Sequence, residues 1–531
     1  MRVLIFHGYL LHGTGSNVYN ANLAAALVRL GHEVHLLCQD RAPEELGVVD
    51  AVGDWDGGAL AVRRLREPVR CTVYRPALAG LLPVYVADRY DAIEARPFPD
   101  CSDAEIDDYV AANVRAVRDV VERATPDVAL ANHLVMGPLV LARALGARGA
   151  GAGHVAGGGG SPGAIPYAVK IHGSALEYVV APHPERFLPA AREGLARARG
   201  VLVGSGHTAS RLHETLEDPS LPPRTRLGPP GVDVDRFVPR APDAARAGLR
   251  QLATRLAGQA ETAVAAREGE ERSAFARDEG AAATVLADVA RGTDDRLVAF
   301  VGKLIVSKGI DLLIAAWPLV LLREPRARLV VVGFGAYRDG VERLVAALAD
   351  GDLDAVRALA DEGRAAEGGP AAPLRHLRAF LDALDDDERT RYLAAAAALR
   401  ERVVLTGRLD HEELVDLLPA CEALVVPSTF PEAFGMVAAE GAACGALPVC
   451  AAHSGLAEVA EALAEAVPEP VRPWLAFPVE DDPVRGIAER VGSWLAAPED
   501  VRTATRDALV ATVRERWSWE GVARGVIAAA R

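Results

Sequence analysis

Short apolar runs rich in β-branched residues alternate along the chain with longer stretches in which apolar positions recur every three or four residues. "RVLIF" (2–6) is followed by a glycine-containing turn, a helical stretch over 17–30 and "HEVHLL" (32–37). "DVALAN" (127–132), "YAVKIH" (167–172) and "GVLVGS" (200–205) continue the series, and each reads as a buried strand. After a break the pattern restarts with "RLVAFVG" (296–302), "ARLVVVG" (327–333), "RVVLTG" (402–407), "EALVVPS" (422–428) and "LPVCAA" (447–452). Repeated strand–helix–strand order predicts an α/β fold with doubly wound parallel sheets, and two series predict two lobes. Ligands of open α/β sheets bind beyond the carboxyl ends of the strands, so the loops there are the places to look for chemistry.

Three stretches depart from the pattern. Residues 146–166 form a glycine-rich surface loop. Residues 239–292 are rich in Ala, Arg and Glu and poor in large apolar groups, which predicts a solvated helical insertion or a partly disordered linker. Residues 337–401 carry leucines at helical spacing and predict a helical hairpin inserted between two strands. The expected organisation is a first lobe over 1–235, the insertion or linker over 236–292, a second lobe over 293–505 and closing helices over 506–531, broken near Ser518.

Composition narrows the function classes. A chain of 531 residues exceeds one core, and 50% hydrophobic with 25% charged residues is a globular composition. A net charge of −15 argues against nucleic-acid binding and lends no support to a basic membrane-binding face. The six cysteines show no C-x-x-C pair and no metal-ligand spacing, so they read as buried hydrophobes in a reducing compartment. The first apolar run is too short for a signal peptide, and no window holds the roughly 18 apolar residues of a membrane span. A cytoplasmic location is expected, with peripheral membrane contact left open. Of 58 basic residues only three are lysines, Lys170, Lys303 and Lys308. Codon preference accounts for the bias, but a compact ammonium is not interchangeable with a guanidinium, and the two lysine-bearing stretches are where a phosphate is sought.

Four constellations fall where the fold would put a ligand. "HGTGSNVY" (12–19), with Gly13 and Gly15, opens a helix after the first strand and could bring bare backbone N–H groups to a phosphate; a short glycine turn is also common there for no functional reason. "VGKLIVSKG" (301–309) sets Lys303 and Lys308 in one loop, where both could reach a diphosphate or simply be solvated. "KIHGSALEY" (170–178) ends a strand at His172, a group more often structural than functional. "PEAFGMVAAE" (431–440) places Glu432 and Glu440 around an apolar strip. On one helix they would sit roughly 12 Å apart along the axis and roughly 80° apart around it. That exceeds the about 5–9.5 Å of paired catalytic carboxylates but suits a long ligand held at two places. The plainer reading is an exposed helix start and one solvated Glu.

The order of glycine loop, "HG", "GVDVDRF", "VGKLIVSKG", "TGRLDHEELVDLL" and "PEAFGMVAAEGAACG" resembles the retaining glycosyltransferases of family 4. That resemblance covers nearly the whole chain outside the insertions. It implies the GT-B fold, two Rossmann-like lobes facing a central cleft, with the last helix returning to the first lobe. It implies a hexosyl transfer from a nucleotide-diphosphate sugar, a UDP sugar first, to a small-molecule or glycan acceptor, with no cofactor or metal. It makes Glu440 the ribose ligand, and Glu432 with the backbone at Phe434, Gly435, Met436 and Val437 the grip on the donor sugar. Lys303 and Lys308 match the positions facing the diphosphate, Gly15 the loop over it, and His172 the histidine beside the donor sugar. Position 303 is usually Arg in that family, and the insertions make this chain longer than typical members. The "DVD" at 233–235 lies in a segment after Pro-Pro and is not read as a metal site. Rival readings are a nucleotide-sugar epimerase or glycan phosphorylase of the same fold, and a two-lobed non-catalytic sugar-binding protein. Neither the acceptor nor the oligomeric state is legible.

Overall fold

The computed structural model describes residues 1–12, 15–78, 80–85, 94–146, 165–264 and 277–531. They divide into two compact units, Met1–Gly231 with Trp519–Arg531, and Val232–Ser518.

In the first unit the strands are β1 (Arg2–Phe6), β2 (Glu33–Leu37), β3 (Ala51–Asp56), β4 (Ala59–Arg64), β5 (Cys71–Arg75), β6 (Leu81–Val84), β7 (Glu94–Pro97), β8 (Val128–Asn132), β9 (Tyr167–Lys170), β10 (Gly200–Val203) and β11 (Thr225–Leu227). Nine of them form one sheet in the order β11-β10-β9-β8-β1-β2-β5-β3-β4, while β6 and β7 pair separately. Successive strand side chains point to opposite faces. Accordingly Leu4 and Phe6 enter one core, with the helices Asp103–Ala124, Gly137–Leu145 and Pro184–Ala196. Val3 and Ile5 enter the other, with the helices Gly15–Arg29 and Trp519–Ala530. Burial on both faces is why β1 reads as an unbroken apolar run. Strand order reverses around β1, so the carboxyl ends of β1 and β8 flank a switch point.

The second unit adds β12 (Arg296–Val301), β13 (Ala327–Val332), β14 (Val403–Gly407), β15 (Ala423–Val426), β16 (Leu447–Ala451) and β17 (Ala476–Phe477). They form a parallel sheet in the order β14-β13-β12-β15-β16-β17. Here the switch point lies between β12 and β15, whose following loops carry Lys303, Lys308 and Glu432.

Two expectations need correction. Residues 239–292 are helical where described, as one of the two readings expects, but they are packed rather than solvated. The helices Pro242–Val264 and Glu279–Arg291 pack together, and Ala245, Leu249, Leu252, Leu256, Leu286 and Val289 are buried. Their apolar residues recur at three- and four-residue spacing, and abundant alanine hid the stripe. Residues 337–401 make more than a hairpin: Arg338–Ala349, Leu353–Glu362, Arg375–Asp382, Asp386–Ala396 and Leu399–Arg402 are helical. Gly351 and Gly363, both with positive φ, end the first two of these helices. The glycine-rich stretch 146–166 lies almost entirely outside the described residues. Among those described, no helix is long and apolar enough to cross a membrane.

Candidate functional site

In the second unit, the loop after β12 is shaped by its glycines. Gly309 has φ +68°, a conformation that costs other residues a Cβ clash. A Cβ on it would also lie 1.9 Å from the Pro427 carbonyl oxygen. That close approach joins the β12 loop to the β15 loop, and Thr429 N–H and Ser428 Oγ both donate to the Ser307 carbonyl, at 2.9 and 3.1 Å. Lys308 is thereby carried to Glu432, and the two form an ion pair. Lys303 is half-buried at the end of β12 and has partners of its own.

Glu432 precedes the helix Met436–Ala443, so the two glutamates do not share one helix and the spacing calculated on that premise does not apply. Its backbone is fixed instead. Glu432 N–H donates to Ser454 Oγ at 2.9 Å, and Gly455 N–H donates to the Glu432 carbonyl at 2.9 Å. His453 Nε2 donates to the Ser428 carbonyl at 2.7 Å, tying the same two loops together. Gly435 caps the helix with no side-chain hydrogen bond, and a Cβ there would meet Leu456 Cδ2 at 2.8 Å. Met436 and Val437 open the helix, leaving their N–H groups at its positive end. Phe434 packs its ring against Trp517, centroids 5.5 Å apart.

Glu440 lies inside that helix and is 2% exposed. Its Oε1 accepts from His411 Nε2 at 2.7 Å, while Oε2 has no hydrogen-bond partner among the described residues. A buried carboxylate oxygen without a donor is costly, so this atom marks where a ligand hydroxyl would be welcome. Burial works against the His411 imidazolium, but the Glu440 carboxylate outweighs it and the pKa is raised. The sequence reading missed His411. It was visible only as part of "DHEEL", and its contact with a residue 29 positions on depends on the fold.

In the first unit His172 follows β9, and Gly173 after it has φ +89°. His172 Nε2 donates to Asn132 Oδ1 at 2.8 Å. Asn132 exchanges amide hydrogen bonds with Asn20, Asn20 donates to His7 Nδ1 at 3.0 Å, and His7 Nε2 donates to Asn17 Oδ1 at 2.9 Å. The His133 ring, 4.8 Å from that of His172, has no hydrogen-bond partner on either nitrogen among the described residues. Desolvation holds His7 down to about 4 and His133 and His172 well below the ordinary value, so this histidine cluster is uncharged at neutral pH. Gly15 begins the helix Gly15–Arg29 at the carboxyl end of β1, and Gly13 lies outside the described residues.

Lys170 corrects the argument from lysine scarcity. It is 2% exposed, donates to the Gly228 carbonyl at 2.6 Å and lies 5.4 Å from the Tyr19 ring centroid. Desolvation lowers its pKa to about 7. It is a structural group and no phosphate ligand.

Two family models match the chain: the glycosyl transferase 4-like domain over residues 14–231, and glycosyl transferases group 1 over residues 381–471. A glycosyltransferase of Methanocaldococcus jannaschii is 26% identical over 235 residues, 44% of this chain and 44% of that protein. A GDP-mannose-dependent monoacylated alpha-(1-6)-phosphatidylinositol monomannoside mannosyltransferase of Corynebacterium glutamicum is 26% identical over 231 residues, 42% of this chain and 44% of its own length. The match thus spans less than half the length of these curated relatives. Among solved structures, sucrose-phosphate synthase from Thermosynechococcus elongatus superposes with a TM-score of 0.53 at 18% identity, covering 99% of both chains.

Proposed function

We propose, for a chain that belongs to the group 1 glycosyltransferases and has their GT-B fold, that it moves a sugar from a nucleotide-diphosphate sugar to a hydroxyl acceptor with retention of anomeric configuration. The observation that carries the donor reading is Glu440: a carboxylate buried to 2% whose Oε2 has no partner. A ribose hydroxyl supplies the donor that this oxygen lacks. Glu432, eight positions earlier and outside the helix, then meets the sugar. Lys303 and Lys308 face the diphosphate, and the N–H groups at Met436 and Val437, at the positive end of their helix, grip the donor sugar beside it. As the C1–O bond breaks, its electron pair passes to the leaving phosphate, whose growing charge the two lysines stabilise. The acceptor oxygen attacks from the same face, and its proton passes to the leaving phosphate oxygen. His172, held by Asn132 through Nε2 and partly exposed, offers its other ring nitrogen to a sugar hydroxyl.

A UDP sugar is the proposed donor, and the GDP-mannose dependence of the Corynebacterium relative makes GDP-mannose the competitor. The test is a melting-temperature panel of UDP, GDP and ADP with their sugars. A ligand at 100 times its Kd adds about 2.7 kcal/mol of stability. A shift with UDP and UDP sugars alone supports the reading, a shift with GDP compounds alone replaces the base, and no shift with any of them overturns the donor assignment.

A further inference from the structure

We infer that Glu367, in the helical insertion between β13 and β14, is a positioning residue that caps the lysine-bearing turn after β12 and so fixes where Lys308 meets the donor diphosphate. The inference rests on the reading of Lys308 given above.

Val306–Lys308 is a single 3-10 turn. The first N–H groups of any helical turn lack partners within it, and Ile305, which precedes this turn, has no side-chain oxygen to offer. The acceptor comes from 61 residues away: Val306 N–H donates to Glu367 Oε2 at 2.7 Å. The Glu367 side chain is 6% exposed, so its carboxylate must be fully bonded to be tolerated. Arg364 Nε donates to its other oxygen at 2.8 Å and offsets its charge. Its bond to the Val306 N–H is charge-assisted.

The segment that presents Glu367 is built for close approach. Gly363 has φ +56°, and a Cβ on it would lie 2.0 Å from the Ala372 carbonyl oxygen. Arg364 N–H donates to that same carbonyl at 3.0 Å, and Gly369 N–H donates to the Arg364 carbonyl at 2.9 Å. The result is a closed loop held against the β12 turn. The far end of the turn is already tied by Gly309 against Pro427 and by Thr429 N–H on the Ser307 carbonyl. Glu367 fixes the near end. Upstream, Leu304 N–H donates to the Phe334 carbonyl at 2.7 Å and the Leu304 carbonyl accepts from Tyr337 N–H at 2.9 Å. Glu367 thus supplies the tie at the first residue of the turn itself, and without it the turn that carries Lys308 is held only from Leu304 and Ser307.

The test is calorimetric titration with UDP, or GDP if the melting panel selects it. The proteins are wild type, Glu367→Gln, Glu367→Ala, Lys308→Ala and the double Lys308→Ala/Glu367→Ala. Glu367→Ala should weaken binding about tenfold, and Glu367→Gln, which keeps an acceptor oxygen, should stay within about threefold of wild type. In the Lys308→Ala background, Glu367→Ala should add less than about twofold, because the cap acts through that lysine. Val306→Pro removes the donor instead of the acceptor at a first-turn position where Pro is tolerated, so it should reproduce the loss and decides the matter if Glu367→Ala does not fold. Wild-type affinity in Glu367→Ala, or its full effect added on top of Lys308→Ala, would overturn the positioning role while leaving the donor reading intact. Wild-type affinity in Lys308→Ala would remove the diphosphate reading of that lysine and this inference together.

Discussion

Lys308 and Glu432, 124 residues apart in the chain, form an ion pair where the loops after β12 and β15 meet. Both side chains keep contact with solvent, 31% and 23% exposed, and pairs of that kind contribute about 0–1 kcal/mol. The pair is therefore easily exchanged for another. In the proposed reading, a diphosphate takes the lysine, the released carboxylate becomes available to sugar hydroxyls, and the ion pair is the ligand-free form of two binding stations.

In the proposed reading the lysines hold the diphosphate of bound UDP and act further on turnover. Their attraction for the leaving diphosphate grows as the glycosidic bond breaks, and interactions that strengthen in the transition state appear in kcat. Lys303→Ala or Lys308→Ala should lower kcat by on the order of 10²–10³ at saturating donor, as for a lost oxyanion donor. Lys303→Arg should be mild. Lys308→Arg should be worse, since its wider head must fit beside Glu432 against a loop pinned by Gly309. Steady-state donor hydrolysis or transfer measures all four variants, and wild-type turnover in folded Lys308→Ala contradicts the assignment.

His411 should matter through Glu440. His411→Phe leaves Glu440 Oε1 without its donor and should weaken UDP about tenfold or more; His411→Gln, which can still donate, should lose less. The pair also has a pH signature. Because the His411 pKa is raised in the fold, its stabilisation is complete below the unfolded value near 6.5 and fades as pH rises through the folded value. The stability gap between wild type and His411→Gln, read by chemical denaturation, should narrow from pH 6 to pH 9; a gap independent of pH contradicts the charged pair.

Asp311 makes a separate prediction. It is buried at the start of the helix Ile310–Arg323, where desolvation raises its pKa to about 7 and nearby Glu367 adds to the shift. Between about pH 4 and 7 the folded chain holds a proton that the unfolded chain has released, so stability falls as pH rises across that window. Asp311→Asn should raise the melting temperature at pH 8 and leave it nearly unchanged at pH 4. An equal shift at both pH values would exclude the titration.

Much of this was readable from the chain because fully buried parallel strands are unbroken apolar runs: β1, β8–β10 and β12–β16 all appear in the sequence analysis. Some of the strands missed lack that signature: β4 alternates exposed positions with half-buried Leu60 and Val62, and β17 has two residues. β5 was missed although its first four residues are buried, because Cys, Thr and Tyr break the aliphatic run. The β3–β4 hairpin did carry a signal, Gly57 and Gly58, which supply the two positive-φ positions of its turn. Lys303, Lys308 and Glu432 stood out because they lie in loops after strands, and Glu440 because of its spacing from Glu432. His411 and Glu367 did not, since each acts through one contact made only by the fold. Lys170 misled because scarcity says nothing of where a side chain turns.

The central claim is that Glu440 holds the nucleotide and Glu432 the sugar. Calorimetric titration of Glu432→Gln and Glu440→Gln with UDP and with a UDP sugar tests it directly. Glu440→Gln should weaken both ligands by a similar factor, about tenfold for a lost charge-assisted bond. Glu432→Gln should leave free UDP within about twofold and weaken the UDP sugar about tenfold. Equal losses of free UDP in the two variants would contradict the account.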